Sequence, residues 1–236
     1  MAHLGSPALA PDGASAVFAR AETDGGWDLW QIDLEGVRPQ RLTRSGDAMY
    51  VRQLPDDDRL LVTSYSQPRQ MSLLPRAGGP ARALMTGVQA MTVDGNEAPG
   101  EGFGDVDPTG RWLTYVAPDP GRGNALYVRP LGGGRARQLA AQGALPRWSP
   151  DGRWIAYARD RSLRRGIYLV AADGGDEIRL TETGGWPIWW PDGGSLAYLA
   201  FDARGQQVIR RVEIPGGRAL PGPAVSFQGV RQPFDI

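Results

Sequence analysis

Short apolar runs separated by polar, glycine- and proline-bearing connections cover the chain from end to end. No window holds a 3.6-residue apolar period over three turns, so helices are minor or absent and strands carry the fold. Typical runs are "AVFARA", "WIAYAR" and "SLAYLA", each followed by a second such as "DLWQID", "IYLVAA" or "ALYVRP". Several are apolar on both faces: Trp154, Ile155, Ala156 and Tyr157 stand consecutively. A strand of that kind has to be covered on both sides, as when small sheets stack face to face around an axis.

The connections repeat. A turn proline recurs at Pro11, Pro55, Pro108, Pro150 and Pro191, in "APDG", "LPDDD", "DPTG", "SPDG" and "WPDG", at intervals of 44, 53, 42 and 41 residues. Downstream of each lies a leucine, at 42, 84, 139, 180 and 220, in "QRLT", "RALM", "RQLA", "IRLT" and "RALP". Between the two sits a glycine turn: "LEGVRP", "RAGGPA", "LGGGRA", "ADGGDE" and "IPGGRA". Pro-Asp-Gly supplies a preset φ, a side chain that bonds its own backbone and a residue tolerant of positive φ. Each unit therefore reads as four antiparallel strands, and four strands in some 40 to 45 residues is the propeller pattern. The predicted fold is all-β, a β-propeller forming one domain over residues 1–236. Its blades fall at about 5–43, 48–86, 102–140, 144–182 and 185–221, with an extra strand at 224–236.

"WSPDGRWIAYARD" with "GIYLVAADGGDEIRLT" resembles the TolB-type β-propeller repeat, a relative of WD repeats, and the likeness covers essentially the whole chain. Units one and four match best. Unit two departs with "PDDD" and unit five with "IRRVEI". The resemblance implies a propeller, usually of six blades, that binds a protein or peptide partner and catalyses nothing. Similar propellers also gate substrates in prolyl-oligopeptidase-like peptidases, or act as ligand-sensing domains of bacterial regulators and kinases. Both roles stay open as alternatives. For location the family implies the bacterial periplasm, with the cytoplasm open. A proline precedes the turn by four residues in Pro7, Pro146 and Pro187, and Pro233 takes that place near the end. The expectation is five complete blades plus the first strand of a sixth, from a longer parent, with self-association if the propeller is not closed.

Composition narrows the chemistry. The 33 glycines and 20 prolines run at about twice and about one and a half times the usual ~7% and ~5%, in keeping with many short elements. Basic and acidic residues balance at 26 each, which argues against a nucleic-acid footprint. All the basic residues are arginine, a mark of GC-rich coding. There is no cysteine, so disulfides and thiolate sites are excluded. No apolar run has the length of a membrane span, and "MAHLGSPALAPDG" lacks the basic and apolar regions of a signal peptide. The single histidine, His3, makes a Ser-His-Asp relay or a histidine-rich metal site improbable. No G-x-S-x-G elbow or P-loop occurs. No cofactor is expected.

Function is expected on the loops that vary. In a four-stranded blade the proline and glycine turns share one face and are uniform. The opposite face carries the loops between second and third strands, "AETDGGWD", "SYSQPRQ", "APDPGRGN", "RDRSLRRG" and "FDARGQQ", and the links between blades. Binding residues concentrate on such loops. The candidate partner contacts are Trp27, Arg69, Arg122, Arg161, Arg164, Arg165 and Arg204, with Asp94, Glu97 and Glu101 in the acidic link after unit two. Arginines here suit a carboxylate or phosphate bidentately; the competing reading of "RDRSLRRG" is a solvated loop balanced by Asp160, and of Trp27 a packing role. Arg52 and Arg147, on innermost strands, are candidates for a central channel. Trp148, Trp189 and Trp190 read as structural. The link lacks the alternating ligands and terminal bidentate Glu of an EF-hand, so no metal is assigned to it.

Overall fold

The structure, a computed structural model, describes residues 7–10, 13–35, 39–54, 58–64, 70–86, 92–93, 96–97, 104–119, 123–160, 163–214 and 219–220. For 49, 86, 92–93, 96–97 and 219–220 it describes the backbone alone. The predicted extra strand at 224–236 lies outside them.

The strands form five four-stranded antiparallel sheets, each in chain order. Blade one is β1 (Ala8–Leu9), β2 (Ser15–Ala21), β3 (Trp27–Asp33) and β4 (Gln40–Arg41). Blade two is β5 (Ala48–Gln53), β6 (Arg59–Ser64), β7 (Gln70–Pro75) and β8 (Arg82–Thr86). A two-stranded hairpin, β9 (Thr92–Val93) and β10 (Asn96–Glu97), lies in the acidic link, where the sequence pattern suggested only loop. Blade three is β11 (Gly104–Val106), β12 (Trp112–Asp119), β13 (Gly123–Pro130) and β14 (Arg137–Ala140). Blade four is β15 (Ala144–Trp148), β16 (Trp154–Ala158), β17 (Ile167–Ala171) and β18 (Ile178–Arg179). Blade five is β19 (Gly185–Trp189), β20 (Ser195–Phe201), β21 (Gln207–Glu213) and β22 (Ala219–Leu220). The described residues contain no helix.

The turns explain the repeat. In blades one, three, four and five the N–H of Gly13, Gly110, Gly152 or Gly193 donates to the carbonyl three residues back, at 2.9 Å in each case. All four glycines sit at φ between 68° and 70°, where a side chain would be strained. Asp107 reinforces its turn through one carboxylate oxygen, which accepts from the N–H groups of Arg111 and Trp112 at 2.7 and 2.6 Å. Ser149 and Asp151 do the same for blade four. The Ser149 hydroxyl donates to Asp151 at 2.6 Å, the Ser149 Oγ accepts from the Trp154 N–H, and this holds the Asp151 carboxyl down at about 2.

The chain divides into two compact units, residues 1–90 and 91–236. In the first, Val17, Ala19 and Leu29 of blade one pack with Leu60, Val62 and Leu74 of blade two. The Arg76 guanidinium spans the same two blades, donating to Gln53 Oε1 and to Ser15 Oγ. In the second, one core runs through blades three, four and five and contains Leu126, Trp148, Tyr157, Ile167, Leu196 and Tyr198. Two hydrogen bonds fasten neighbouring innermost strands in that unit: Trp148 N–H to Asp105 Oδ2 at 2.8 Å, and Trp189 Nε1–H to the Arg147 carbonyl at 3.0 Å. Innermost strands β15 and β19 each bulge, with Leu145 at φ 54° and Trp186 at φ 50° just before a proline. Such left-handed non-glycine residues persist only where packing over-determines them. Leu145 does so as a buried core residue, and Trp186 packs half-buried against the same core.

Candidate functional site

The most fully built part of the variable loop face is the β16–β17 connection of blade four. Leu163 turns inward at φ 61° and is buried, and its carbonyl accepts the Gly184 N–H at 2.7 Å. Gly166, at φ 77°, brings its backbone so close to the Thr181 carbonyl that any β-carbon would collide with it. The described segment 163–166 is therefore pinned at both ends. What it presents outward is Arg164 and Arg165, both exposed, with the Arg165 Nε 3.1 Å from Asp160.

Beside it the β-sheet surface carries a charged aromatic cluster. Glu177 takes both Arg159 terminal nitrogens, at 3.2 and 2.8 Å, and the Tyr157 hydroxyl at 2.6 Å. The Arg159 guanidinium lies 3.9 Å from the Tyr168 ring centroid, close enough for cation–π attraction. Burial, and then the Glu177 carboxylate, raise the Tyr157 hydroxyl well above its usual range. Burial opposes the charge on Arg159, but the Glu177 hydrogen bond together with Tyr157, Tyr168 and the Glu177 charge outweighs it and raises that group too.

The equivalent loops of blades one and five are shaped by aspartates. Asp202 Oδ1 accepts from the N–H groups of Arg204 and Gln206, each at 2.8 Å, and leaves the Arg204 side chain exposed. Asp24 Oδ1 accepts the Gly26 N–H at 3.0 Å. Glu22 reaches past that loop to the Trp30 indole N–H at 2.7 Å, while Arg20 stacks 4.5 Å from the same ring.

Behind the blade-one loop lies a group that sequence reasoning missed. Asp28 is fully buried at the start of β3. One carboxylate oxygen accepts the Thr43 hydroxyl at 2.7 Å and the Gly46 N–H at 3.3 Å; the other takes the Arg41 guanidinium. Burial alone would raise its pKa, but the Thr43, Arg41 and Gly46 bonds overcome it and hold Asp28 below the ordinary carboxylate value. The signal was present as "DLW…QRLT", but only unit one carries an aspartate there.

Of the candidates, Arg164, Arg165 and Arg204 are exposed on loops of the variable face within the second unit. Trp27, in the first unit, is half-buried and packs against the core of blades one and two. Arg52 is half-buried on β5, and Arg147 is half-buried on β15 with a hydrogen bond to the Pro146 carbonyl at 2.9 Å. Arg69, Arg122, Arg161, Asp94 and Glu101 lie outside the described residues, as does the side chain of Glu97. Among the described residues no group of three or more acidic or histidine side chains is placed to hold a metal ion. Among the described residues no helix is long and apolar enough to cross a membrane.

Five sheets of four antiparallel strands, each in chain order, define a β-propeller fold. Comparison with solved structures identifies the kind: the fold is TolB-like. TolB from Acinetobacter baumannii superposes with a TM-score of 0.70 at 16% identity over 88% of this chain, and 52% of that one. An oligogalacturonate lyase in complex with manganese gives 0.70 at 17% identity, covering 92% of this chain and 65% of the other. A puromycin-hydrolyzing peptidase from Mycobacterium tuberculosis gives 0.62 at 16% identity, covering 92% and 38%. This chain thus spans about half the length of the TolB structure. No family model matches the sequence, and no curated protein does.

Proposed function

We propose that this chain is a non-catalytic propeller module that binds a protein or peptide partner through the loops between second and third strands. The observation that carries the reading is the blade-four loop. Leu163 and Gly166 lock its backbone, and Arg164 and Arg165 project from it. A held segment carrying exposed arginines, as 163–166 does, meets a carboxylate-bearing partner without first having to be ordered. The uniform proline and glycine turns on the opposite side are occupied with closing hairpins. The structural likeness to TolB supports a scaffold role. The likeness to a puromycin-hydrolyzing peptidase supports a second reading, a propeller that screens substrate for a catalytic domain elsewhere.

The test uses a displayed library of acidic peptides selected on the wild-type chain. Charge reversal of Arg161, Arg164 and Arg165 to Glu is expected to abolish binding of the selected peptides and leave unfolding unchanged, because exposed charges contribute little to stability. Asp151→Arg, on the turn face, is expected to leave binding intact. If the turn-face variant alone loses binding while both stay folded, the loop-face assignment is wrong.

A further inference from the structure

Cross-strand register makes positions in different blades equivalent. Phe18 pairs with Trp30 as Tyr157 pairs with Tyr168 and Tyr198 with Arg210. The side of each blade that carries Phe18, Tyr157 or Tyr198 is its leading face. The other side, carrying Leu29, Ile167 or Ile209, is its trailing face. Within the second unit, trailing residues Ala156, Ala158, Ile167 and Leu169 of blade four are buried in one cluster with leading residues Leu196, Tyr198 and Ala200 of blade five. Trailing face against leading face is also how blades one and two meet.

Two faces break this rule. On the trailing face of blade five, Ile209 is 39% exposed, at the position where Leu29 and Ile167 are fully buried. Around it Ile188 is 62%, Trp190 43% and Phe201 39% exposed, with the Arg211 guanidinium 4.1 Å from the Trp190 ring centroid. On the leading face of blade one, Leu9 is 60% exposed, at the register position of buried Trp148. Leu34 is 55% exposed, where Ala172 and Ile214 pack on the core of the second unit. Phe18 is half-buried, although its counterparts Tyr157 and Tyr198 are buried. Leu9, Leu34, Ile188, Trp190, Phe201 and Ile209 account for all but Trp112 and Ile178 of the large apolar side chains exposed among the described residues. Concentration on two sheet faces, rather than scatter, marks an interaction surface.

We infer that the trailing face of blade five docks on the leading face of blade one of a second copy of this chain. The occupant follows from the recurring contact. A trailing face is covered by a leading face that offers an aromatic at the Tyr198 position and an aliphatic at the Ile214 position. Blade one offers Phe18 and Leu34 there, and nothing described in the chain covers them. The two surfaces differ from each other, so the contact is heterologous and propagates from copy to copy unless the rotation closes. It stands apart from the loop-face reading and uses none of its arginines.

The chain has no cysteine, which allows a direct test. Leu9→Cys and Ile188→Cys both fall on exposed side chains of innermost strands. By analogy with Trp189 bonding the Arg147 carbonyl, Leu9 of one copy lies beside Ile188 of the next. A mixture of the two single variants with a short thiol crosslinker is expected to give covalent dimers, and neither variant alone should do so. Sedimentation of the unmodified chain is expected to show mass rising with concentration, and Ile209→Glu to weaken association roughly tenfold or more, as for a central apolar anchor. A monomer at every concentration reached overturns the proposal. So do crosslinks that form equally within one variant, or a Leu9→Cys, Ile188→Cys double variant that links within a single chain.

Discussion

At the start of the third strand, blade one buries Asp28 and blade four places Gly166. The surrounding lattice is the same in both. Thr43 Oγ1 accepts the Leu29 N–H at 2.9 Å, and Thr181 Oγ1 accepts the Ile167 N–H at 2.9 Å. Arg41 and Arg179 both bond the carbonyl two residues on, that of Thr43 and Thr181. The difference lies in where the remaining donors go. In blade one the Thr43 hydroxyl and the Arg41 guanidinium converge on the buried carboxylate. In blade four the Thr181 hydroxyl donates to the Thr183 carbonyl, and Arg179 turns to the Glu182 carbonyl and carboxylate at the surface. A charged hub and a close backbone approach are two ways of satisfying one set of donors. Of the two, only the hub buries an ionised group.

Five substitutions probe that contrast. Asp28→Ala is expected to have the largest effect, about 3 kcal/mol by chemical denaturation. That is the low end for breaking a buried pair, because the Arg41 side chain stays partly exposed and rehydrates. Asp28→Asn adds the sign. The folded-state pKa lies below the ordinary 3.8, so the contribution is complete above that value and is lost as pH falls through the lower, folded one. The stability gap between wild type and Asp28→Asn should thus be full at neutral pH and shrink in acid; a gap that widens in acid would refute the hub. Next, Gly166→Ala should cost about 2 kcal/mol through positive φ and the Thr181 carbonyl, and should show no such acid dependence. Smallest is the difference between Thr43→Val and Thr181→Val, about 1 kcal/mol. Each loses two hydrogen bonds, about 1 kcal/mol apiece, but Thr43→Val should exceed Thr181→Val because one of its bonds goes to a charge. Equal losses would mean that Thr43 adds nothing through Asp28.

The repeat was legible because its turns have strict chemistry. Gly110, Gly152 and Gly193 need positive φ at the same offset from each proline, and the spacing shows it directly. The blade-four loop was legible as an arginine cluster, but not as a rigid one. That depends on Leu163 pointing inward and on the proximity of Thr181 to Gly166, neither of which a local pattern encodes. Glu177 stands twenty residues from Tyr157 in the chain, so their hydrogen bond needed the β16–β17 register to be known. The bulges at Leu145 and Trp186 were hidden because a residue before proline is expected to be extended. Asp28 escaped because a feature used in one blade is invisible to an argument from repetition.

The chain order of strands within every sheet has a kinetic consequence. Each blade is completed by about 40 consecutive residues joined through tight hairpins, so its pairings close short loops rather than long ones. A nascent chain can therefore assemble one blade as soon as its fourth strand has emerged, and within each compact unit the preceding blade already offers its trailing face as a template. Nearest-neighbour growth of this kind is how repeat arrays fold. Translation then lays down each unit's core from its first blade onward, and a blade with a successor in its unit keeps the face between them in water only for the time needed to synthesise that successor.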